Sequence, residues 1–473
     1  MSWNILRLSV PVEFPAGAAP GAGRDRNASF IARDGRGAPV LRGSALSGAL
    51  RRAWRRAVNR SEADAQHWFG HASDSATRTG VASRIAVHDV ALIGSGRGTD
   101  TRTDTRTHNA IDRHTGAPVD KGLFTVESIL PGTTGTVLLV LRAASEELAE
   151  ATELLREIYG VLRQGMHVGG STARGVGLMK ARAAGGAFRH FDLSKLDDHA
   201  AWLDEQHARA ELLRSGRFEG TSLEPIAAQN QLVLTVQLGI PRGQDVLIGG
   251  DSGLDARIEP QKVAAADGSM RLRFPGSSFR GVMRKWVVRL AAREGLAVAD
   301  NHGLAAARQQ SRTAVTGDEL AIGFANTARR AELAQNPALV ECPVMRLFGS
   351  AFAKGRFHVS DALVPLPADQ LQRRTHVSID RFGGGASNGF LFDTMVVASG
   401  KETACVPLRI EVDAPTQQEA KWIADTLRAI DLGVLRVGSS KGAGRFEVKS
   451  MKAEGPHAEM FAQVCAKGDT NRG

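Results

Sequence analysis

Two stretches decide the fold of this chain: Leu41-Arg-Gly-Ser-Ala-Leu-Ser-Gly-Ala-Leu-Arg51 and Phe274-Pro-Gly-Ser-Ser-Phe-Arg-Gly-Val-Met-Arg284. Shifted by 233 positions, Gly43, Ser44, Gly48 and Arg51 fall on Gly276, Ser277, Gly281 and Arg284. Four further landmarks follow in the same order. Trp68-Phe-Gly70 pairs with Leu347-Phe-Gly349, and Ser83-Arg-Ile-Ala-Val-His-Asp89 with Gly355-Arg-Phe-His-Val-Ser-Asp361. His108-Asn-Ala-Ile-Asp-Arg113 pairs with His376-Val-Ser-Ile-Asp-Arg381. Last, Val168-Gly-Gly-Ser-Thr-Ala-Arg-Gly-Val-Gly177 pairs with Val437-Gly-Ser-Ser-Lys-Gly-Ala-Gly444. One match is chance; five in one order make the chain two copies of one domain.

The repeat sets the expected boundaries: a first domain over 1–182, a polar linker with one helical segment over 183–225, a second domain over 226–453 and a flexible tail over 454–473. Each copy opens on an alternating strand, Ile5 to Val10 and Gln231 to Leu238. The Gly-Ser segment then starts a helix, with Ser44 or Ser277 expected as N-cap. In the second copy Phe279, Val282, Met283, Trp286, Val287 and Leu290 mark one buried helical face. A second helix precedes each terminal glycine loop. Strand, helix, strands, helix and a final strand predict an α+β fold of ferredoxin-like (RRM-like) type. The polar segments 93–130 and 365–395 are too long for tight turns, so they should project from the sheet.

The composition, 23% charged and 42% hydrophobic over 473 residues, is that of an ordinary globular protein of two or three domains. It excludes disordered and fibrous chains. No apolar run reaches the ~18 residues of a membrane span, and no leader follows Met1. Cys342, Cys405 and Cys465 are scattered and odd in number, which suits a cytoplasmic protein. The net charge is +10, and 48 of the 60 basic residues are Arg, the side chain suited to planar phosphate recognition. A basic balance suits nucleic acid, an anionic membrane or an acidic partner; with aromatics at 5% and Tyr159 the sole tyrosine, an RNA, if that is the partner, should be held by its backbone rather than by base stacking.

Several motifs carry more than one reading. The terminal glycine loops allow close approach of backbone N–H groups to an anion, with Arg174, Lys441 or Arg445 adding charge; a plain turn into the last strand is the alternative. A capped helix start beside such a loop makes a phosphate cradle. Asp112 and Asp380 either hold the hairpin or contact RNA. His67 and His71 stand at i, i+4, but the glutamate of a metalloprotease helix is missing and the second copy has no histidine there, which favours packing over a metal.

Taken together, the Pro-Gly-Ser-Ser helix, the Leu-Phe-Gly turn, the R-x-x-V-x-D strand, the Ile-Asp-Arg hairpin and the terminal glycine loop resemble the RAMP (repeat-associated mysterious protein) superfamily. The likeness is greatest to the backbone subunits of type III CRISPR effector complexes. The resemblance implies two tandem ferredoxin-like domains, each with a projecting thumb hairpin, stacked along a guide RNA with other effector subunits and a paired target RNA as partners. It implies RNA contacts at Gly43, Ser44, Ser47, Arg51, Arg113, Gly170, Arg174 and Gly175 in the first copy. In the second copy these are Gly276, Ser277, Ser278, Arg280, Arg284, Arg381, Gly438, Lys441 and Gly442.

In that family an acidic residue in the loop before the Gly-Ser helix supports target-RNA cutting. In Gly249-Gly-Asp-Ser-Gly-Leu-Asp-Ala-Arg-Ile-Glu259 the matching position is Asp255, with Asp251 beside it and Mg²⁺ expected on Asp255. The first copy has Ala28 at that position, with Asp25 nearby as a substitute. A turn or an Arg257 ion pair is the other reading of Asp255. Two further functions stay open: a non-catalytic scaffold, and an endonuclease that processes precursor guide RNA with His108 or His376.

Overall fold

The structure is a computed structural model that describes residues 3–25, 28–71, 80–94, 103–111, 118–183, 185–248, 259–296, 298, 342–349, 354–366, 370–380, 382–399, 405–438 and 442–465. Its contacts divide the chain into two units: residues 1–231 with 261–273, and residues 232–260 with 274–473.

Through residue 215 the first unit runs β1 (Trp3–Phe14), β2 (Gly21–Asp25), β3 (Ala28–Ile31), β4 (Val40–Leu41), α1 (Gly43–Val58) and α2 (Glu62–Phe69). It continues with β5 (Ile85–Val87), β6 (Val90–Ala91), β7 (Thr103–Ile111), β8 (Pro118–Ile129), β9 (Thr133–Ala144) and α3 (Leu148–Gln164). Then come β10 (Met166–His167), β11 (Leu178–Ala181), β12 (Ala187–Asp192) and α4 (Leu196–Ser215). Its main sheet has the order β11-β1-β9-β5, with β10 beyond β11. This antiparallel 4-1-3-2 order is that of a ferredoxin-like sandwich, the fold class the sequence predicts. Alternation along β1 puts Leu6, Leu8, Val10 and Val12 on one face, where they share a buried core with Leu46, Leu50 and Trp54 of α1 and Leu154, Leu155 and Ile158 of α3.

The other face of that sheet explains a departure from expectation. Ile5, Leu138 and Val140 are buried there with Phe191, and Trp202, Leu213 and Phe218 pack against them. The segment read as a linker therefore joins the sheet and lies over it: β12 adds a strand beside β1 from Asn4↔Asp192 to Ser9↔Ala187, and α4 packs against β12. Arg7, on the same face, is fully buried. It donates to Glu205 Oε1 at 2.9 Å and Oε2 at 3.1 Å, and to the Ala187 carbonyl at 3.0 Å. No residue of α4 is itself fully buried, so the helix carries no apolar stripe that a sequence could announce.

The second unit repeats the plan. It contains β13 (Gln231–Gly239), β14 (Asp245–Val246), α5 (Gly276–Arg293), α6 (Pro343–Phe348), β17 (Phe357–Val359), β18 (Ala362–Pro365), β19 (Leu371–Ile379), β20 (Ala386–Ala398), β21 (Val406–Asp413), α7 (Gln417–Asp431) and β22 (Glu447–Glu454). The sheet order β22-β13-β21-β17 is again 4-1-3-2. Between β14 and α5 the strands β15 (Lys262–Ala264) and β16 (Met270–Phe274) form a hairpin whose residues up to 273 fold with the first unit. The segments expected to project are long antiparallel hairpins, β7–β8 and β19–β20. The tail is anchored further than expected, since the turn Ala458–Phe461 buries Phe461.

Removing one partner of a buried ion pair strands the other charge. Glu205→Ala should cost about 3 kcal/mol in urea unfolding. Glu211→Ala, which breaks the exposed pair with Arg214, should change stability by less than about 0.5 kcal/mol. Equal effects would contradict the buried role of Arg7.

Candidate nucleic-acid interface

Both Gly-Ser helices begin in the same way. The Gly43 N–H donates to Asp89 Oδ1 at 2.7 Å, and the Gly276 N–H donates to Asp361 Oδ1 at 2.8 Å. Arg42 adds a 3.0 Å bond to the other oxygen of Asp89. A Cβ at Gly43 or Gly276 would lie well inside 3.0 Å of the carbonyl oxygen of Val87 or Val359, so only glycine lets the helix press against the strand. The expected serine caps are corrected here. The N-cap residues are Arg42 and Pro275, and neither helix start carries a side-chain cap bond from its own N-cap. The aspartate that ends each R-x-x-V-x-D motif supplies the acceptor instead, so a protein carboxylate already faces the positive end of each helix.

The basic helix faces are partly structural. Arg51 donates to the Gly70 carbonyl at 2.9 Å and, with Arg55, pairs with Glu62. Arg280 donates to the Phe348 carbonyl and lies 5.6 Å over the Phe348 ring, while Arg284 reaches Met345 Sδ at 3.5 Å. These side chains brace the Trp-Phe-Gly and Leu-Phe-Gly turns. Ser44 and Gly48 on α1 and Gly281 on α5 are exposed, and Ser47, Ser277 and Ser278 are half-buried. A Cβ at Gly48 or Gly281 would meet nothing within 4 Å. A helix-interior glycine costs ~1 kcal/mol relative to alanine, so finding one on the same open face in both copies fits close approach by a ligand backbone.

The terminal loops also match in detail. Val168 N–H donates to the Gly177 carbonyl at 2.8 Å, and Val437 N–H to the Gly444 carbonyl at 2.9 Å. Gly169 and Gly438, with φ of +77° and +113°, press against the carbonyls of Ala19 and Leu247. Gly170 N–H donates to the Ala19 carbonyl at 2.7 Å. Gly175 and Gly442 lie further along the two loops, also at positive φ.

Cationic side chains also gather at the β7–β8 hairpin. The Arg174 guanidinium sits 4.3 Å from the Phe124 ring centroid and donates to Ser171 Oγ at 3.0 Å. His108 stacks on Phe124 with centroids 5.2 Å apart and planes 11° from parallel. Burial, followed by the charges of Arg106, Arg174 and Arg273, pushes the His108 pKa down to about 3. Arg273, itself buried, is held by Asp104 at 2.6 Å. The second unit repeats the stack: His376 lies 5.2 Å from Phe392, with His376 Nε2 2.9 Å from Thr394 Oγ1. There Arg374 pairs with Asp245 at 3.0 Å. Arg106 belongs to the Thr-Arg-Asp stretch 94–107 that the sequence offers for sugar and phosphate contact, whereas Phe124, Arg273, Arg374 and Phe392 were not singled out, although Arg-Thr-His recurs at 106–108 and 374–376.

Asp251, Asp255, Arg113, Arg381 and Lys441, together with Asp112, lie outside the described residues. Asp25 ends β2 opposite Ala28. Asp380 accepts from Gly383 N–H at 2.6 Å and Phe382 N–H at 2.9 Å, and these bonds hold its carboxyl below the usual range. It therefore shapes the hairpin end. His67 stands 3.5 Å from Glu147, and among the described residues no group of three His, Cys, Asp or Glu side chains could hold a metal ion.

Two measurements check these assignments. Asp361→Ala should cost ~1 to 2 kcal/mol of stability and Ser277→Ala clearly less; the reverse order would restore the serine caps. In an NMR titration the His108 ring should stay neutral from pH 7 to pH 4, and a midpoint near 6.5 would contradict the cluster. The unfolded chain takes up this proton near pH 6.5 and the folded one only near 3, so this contribution is intact above 6.5 and is lost as the pH falls toward 3.

No helix among the described residues is long and apolar enough to cross a membrane. No curated protein matches the sequence. A sequence model of the RAMP superfamily matches residues 17–180 and again 245–447, one match on each copy and together well over half of the chain. Those stretches hold both carboxylate-capped helix starts, both long hairpins and both glycine loops, and on that evidence the chain belongs to the RAMP superfamily.

Proposed function

We propose that this chain is a tandem backbone subunit of a cytoplasmic type III CRISPR ribonucleoprotein. It holds the guide RNA with both copies and cuts the guide-paired target RNA with the second. Family membership supports a CRISPR-associated RNA-binding role. The observation that carries the reading is the repeated hairpin root, an Arg-Thr-His segment stacked on a phenylalanine, with guanidinium groups crowding His108 in the first unit. Such a cluster suits a phosphate backbone and reads no bases. The open helix faces at Ser44 and Gly48, and at Ser277 and Gly281, offer a second track for the same strand. In this reading the two hairpins are the thumbs.

Cutting falls to Asp255, with Asp251 beside it. One or two carboxylates with RNA phosphate oxygens make a donor set that suits Mg²⁺, which would neutralise charge on the phosphate under attack. The nucleophile is the RNA's own 2′-hydroxyl. Once the nucleotide is splayed in line, the P–O2′ bond forms as the P–O5′ bond breaks, leaving a 2′,3′-cyclic phosphate and a 5′-hydroxyl that takes up the proton. Asp255 serves as base or as ligand. The first copy, with Ala28 at the matching position, is a scaffold unless Asp25 substitutes. Precursor processing by His108 is disfavoured, because an imidazole with a pKa of about 3 is a weak general base.

The test is cleavage of an end-labelled target by the assembled complex in Mg²⁺ and in EDTA. Asp255→Ala should remove a product band with guide retention unchanged, and Asp25→Ala should not. Persistence of every band in Asp255→Ala would leave the scaffold reading.

A further inference from the structure

Just before each Gly-Ser helix the chain makes a tight hairpin, and the two tips, over residues 34–38 and 265–269, are the same structure displaced by 231 positions. Asp34 N–H donates to the Ala38 carbonyl at 2.8 Å, as Ala265 N–H does to the Ser269 carbonyl at 2.8 Å. Gly37 N–H donates to the Asp34 carbonyl at 3.0 Å, as Gly268 N–H does to the Ala265 carbonyl at 2.9 Å. Gly37 and Gly268 share φ values of +82° and +84°. In each tip an aspartate, Asp34 or Asp267, accepts backbone N–H groups through its side chain.

The tips differ in what they touch. Within the first unit the 265–269 tip is seated: Ala266 N–H donates to the Pro131 carbonyl at 2.7 Å, and Ala266 lies against Gly132. Pro131 and Gly132 form the turn that closes the β7–β8 hairpin into β9. Ala265 and Ala266 are buried by this contact. The residue equivalent to Ala266 is Gly35. Among the described residues its N–H meets no acceptor, a Cβ there would have nothing within 4 Å, and residues 33–37 are all exposed.

We infer that the 34–38 tip is a docking surface for another RAMP-fold chain, with the Gly35 N–H donating to a carbonyl in the turn that closes that chain's long hairpin. The inference rests on the reading of this protein as a subunit of a RAMP assembly. The seated tip defines the contact: a small residue at the apex, one backbone hydrogen bond and a Pro-Gly type of turn as receptor. Arg33 is already engaged by Glu127 at 2.6 Å and by the Gly37 carbonyl at 3.1 Å, and both bonds hold the open tip in shape before any partner arrives. Arg36 corresponds to Asp267, which stays exposed in the seated tip, so position 36 borders the contact without filling it.

The test uses the full chain assembled with its guide RNA and carrying a photo-reactive phenylalanine analogue in place of Arg36. The expected cross-linked peptide comes from the turn after the long hairpin of a second RAMP-fold chain. Gly35→Trp should cut that product at least about tenfold, because bulk enters the contact. The melting temperature should stay within about 1 °C, because the side chain has open space and the φ of Gly35 lies outside the left-handed region. Cross-linking to RNA alone, no product between chains, or a product unaffected by Gly35→Trp would overturn the inference. Guide retention is read in the same sample. Guide held without the cross-link sinks the docking surface alone, and the cross-link without guide sinks the RNA-binding reading alone.

Discussion

One hydrogen bond, made twice, organises this protein: a carboxylate in the short link between two strands, Asp89 or Asp361, on the first N–H of the helix at Gly43 or Gly276. The bond is worth ~1 kcal/mol in isolation, and the helix dipole adds a fraction of that. Its geometric effect is larger. It fixes the helix against the carbonyl of the neighbouring strand at a distance that admits no Cβ. From that contact follow the direction of the buried face, Leu46, Leu50 and Trp54 in the first copy and Phe279, Met283 and Val287 in the second, and the outward face of Ser44, Gly48 and Gly281.

This constraint also changes how the helix starts act on an anion. A free helix N-terminus attracts phosphate through unpaired N–H groups, whereas here a carboxylate competes for the same end. The positive field must come from side chains. One source is the set of Arg106, Arg174 and Arg273 around His108, which burial and those charges keep neutral. A neutral, stacked imidazole adds shape rather than charge, and the same His–Phe stack in the second unit argues for a shared platform.

How much of this was legible in the sequence follows from what each feature depends on. The repeat, the ferredoxin-like order of elements and the projecting segments were readable because they rest on local periodicity and on motifs spaced alike in both halves; the strand order of the sheets was not. The carboxylate cap was half visible: R-x-x-V-x-D stood out as a motif, but its partner lies 46 residues away in the first copy and 85 in the second, and a nearer serine was the natural local candidate. The places of β12 and α4 were hidden because no residue of α4 is itself buried and part of its seat is the Arg7–Glu205 pair, two charges that a sequence assigns to solvent. Arg273 was hidden for another reason, since its place beside Asp104 and His108 depends on a hairpin that folds with the other copy's unit.

The central claim is that both copies grip an RNA backbone through the hairpin roots. It is tested most directly by binding of single-stranded RNA across a KCl series, for wild type and for Arg106→Ala and Arg374→Ala. The account predicts that each substitution weakens binding about equally for unrelated sequences and lowers the slope of log affinity against log salt by roughly 0.7, as for one lost phosphate contact. An unchanged slope in both variants, or a loss confined to one RNA sequence, would contradict it.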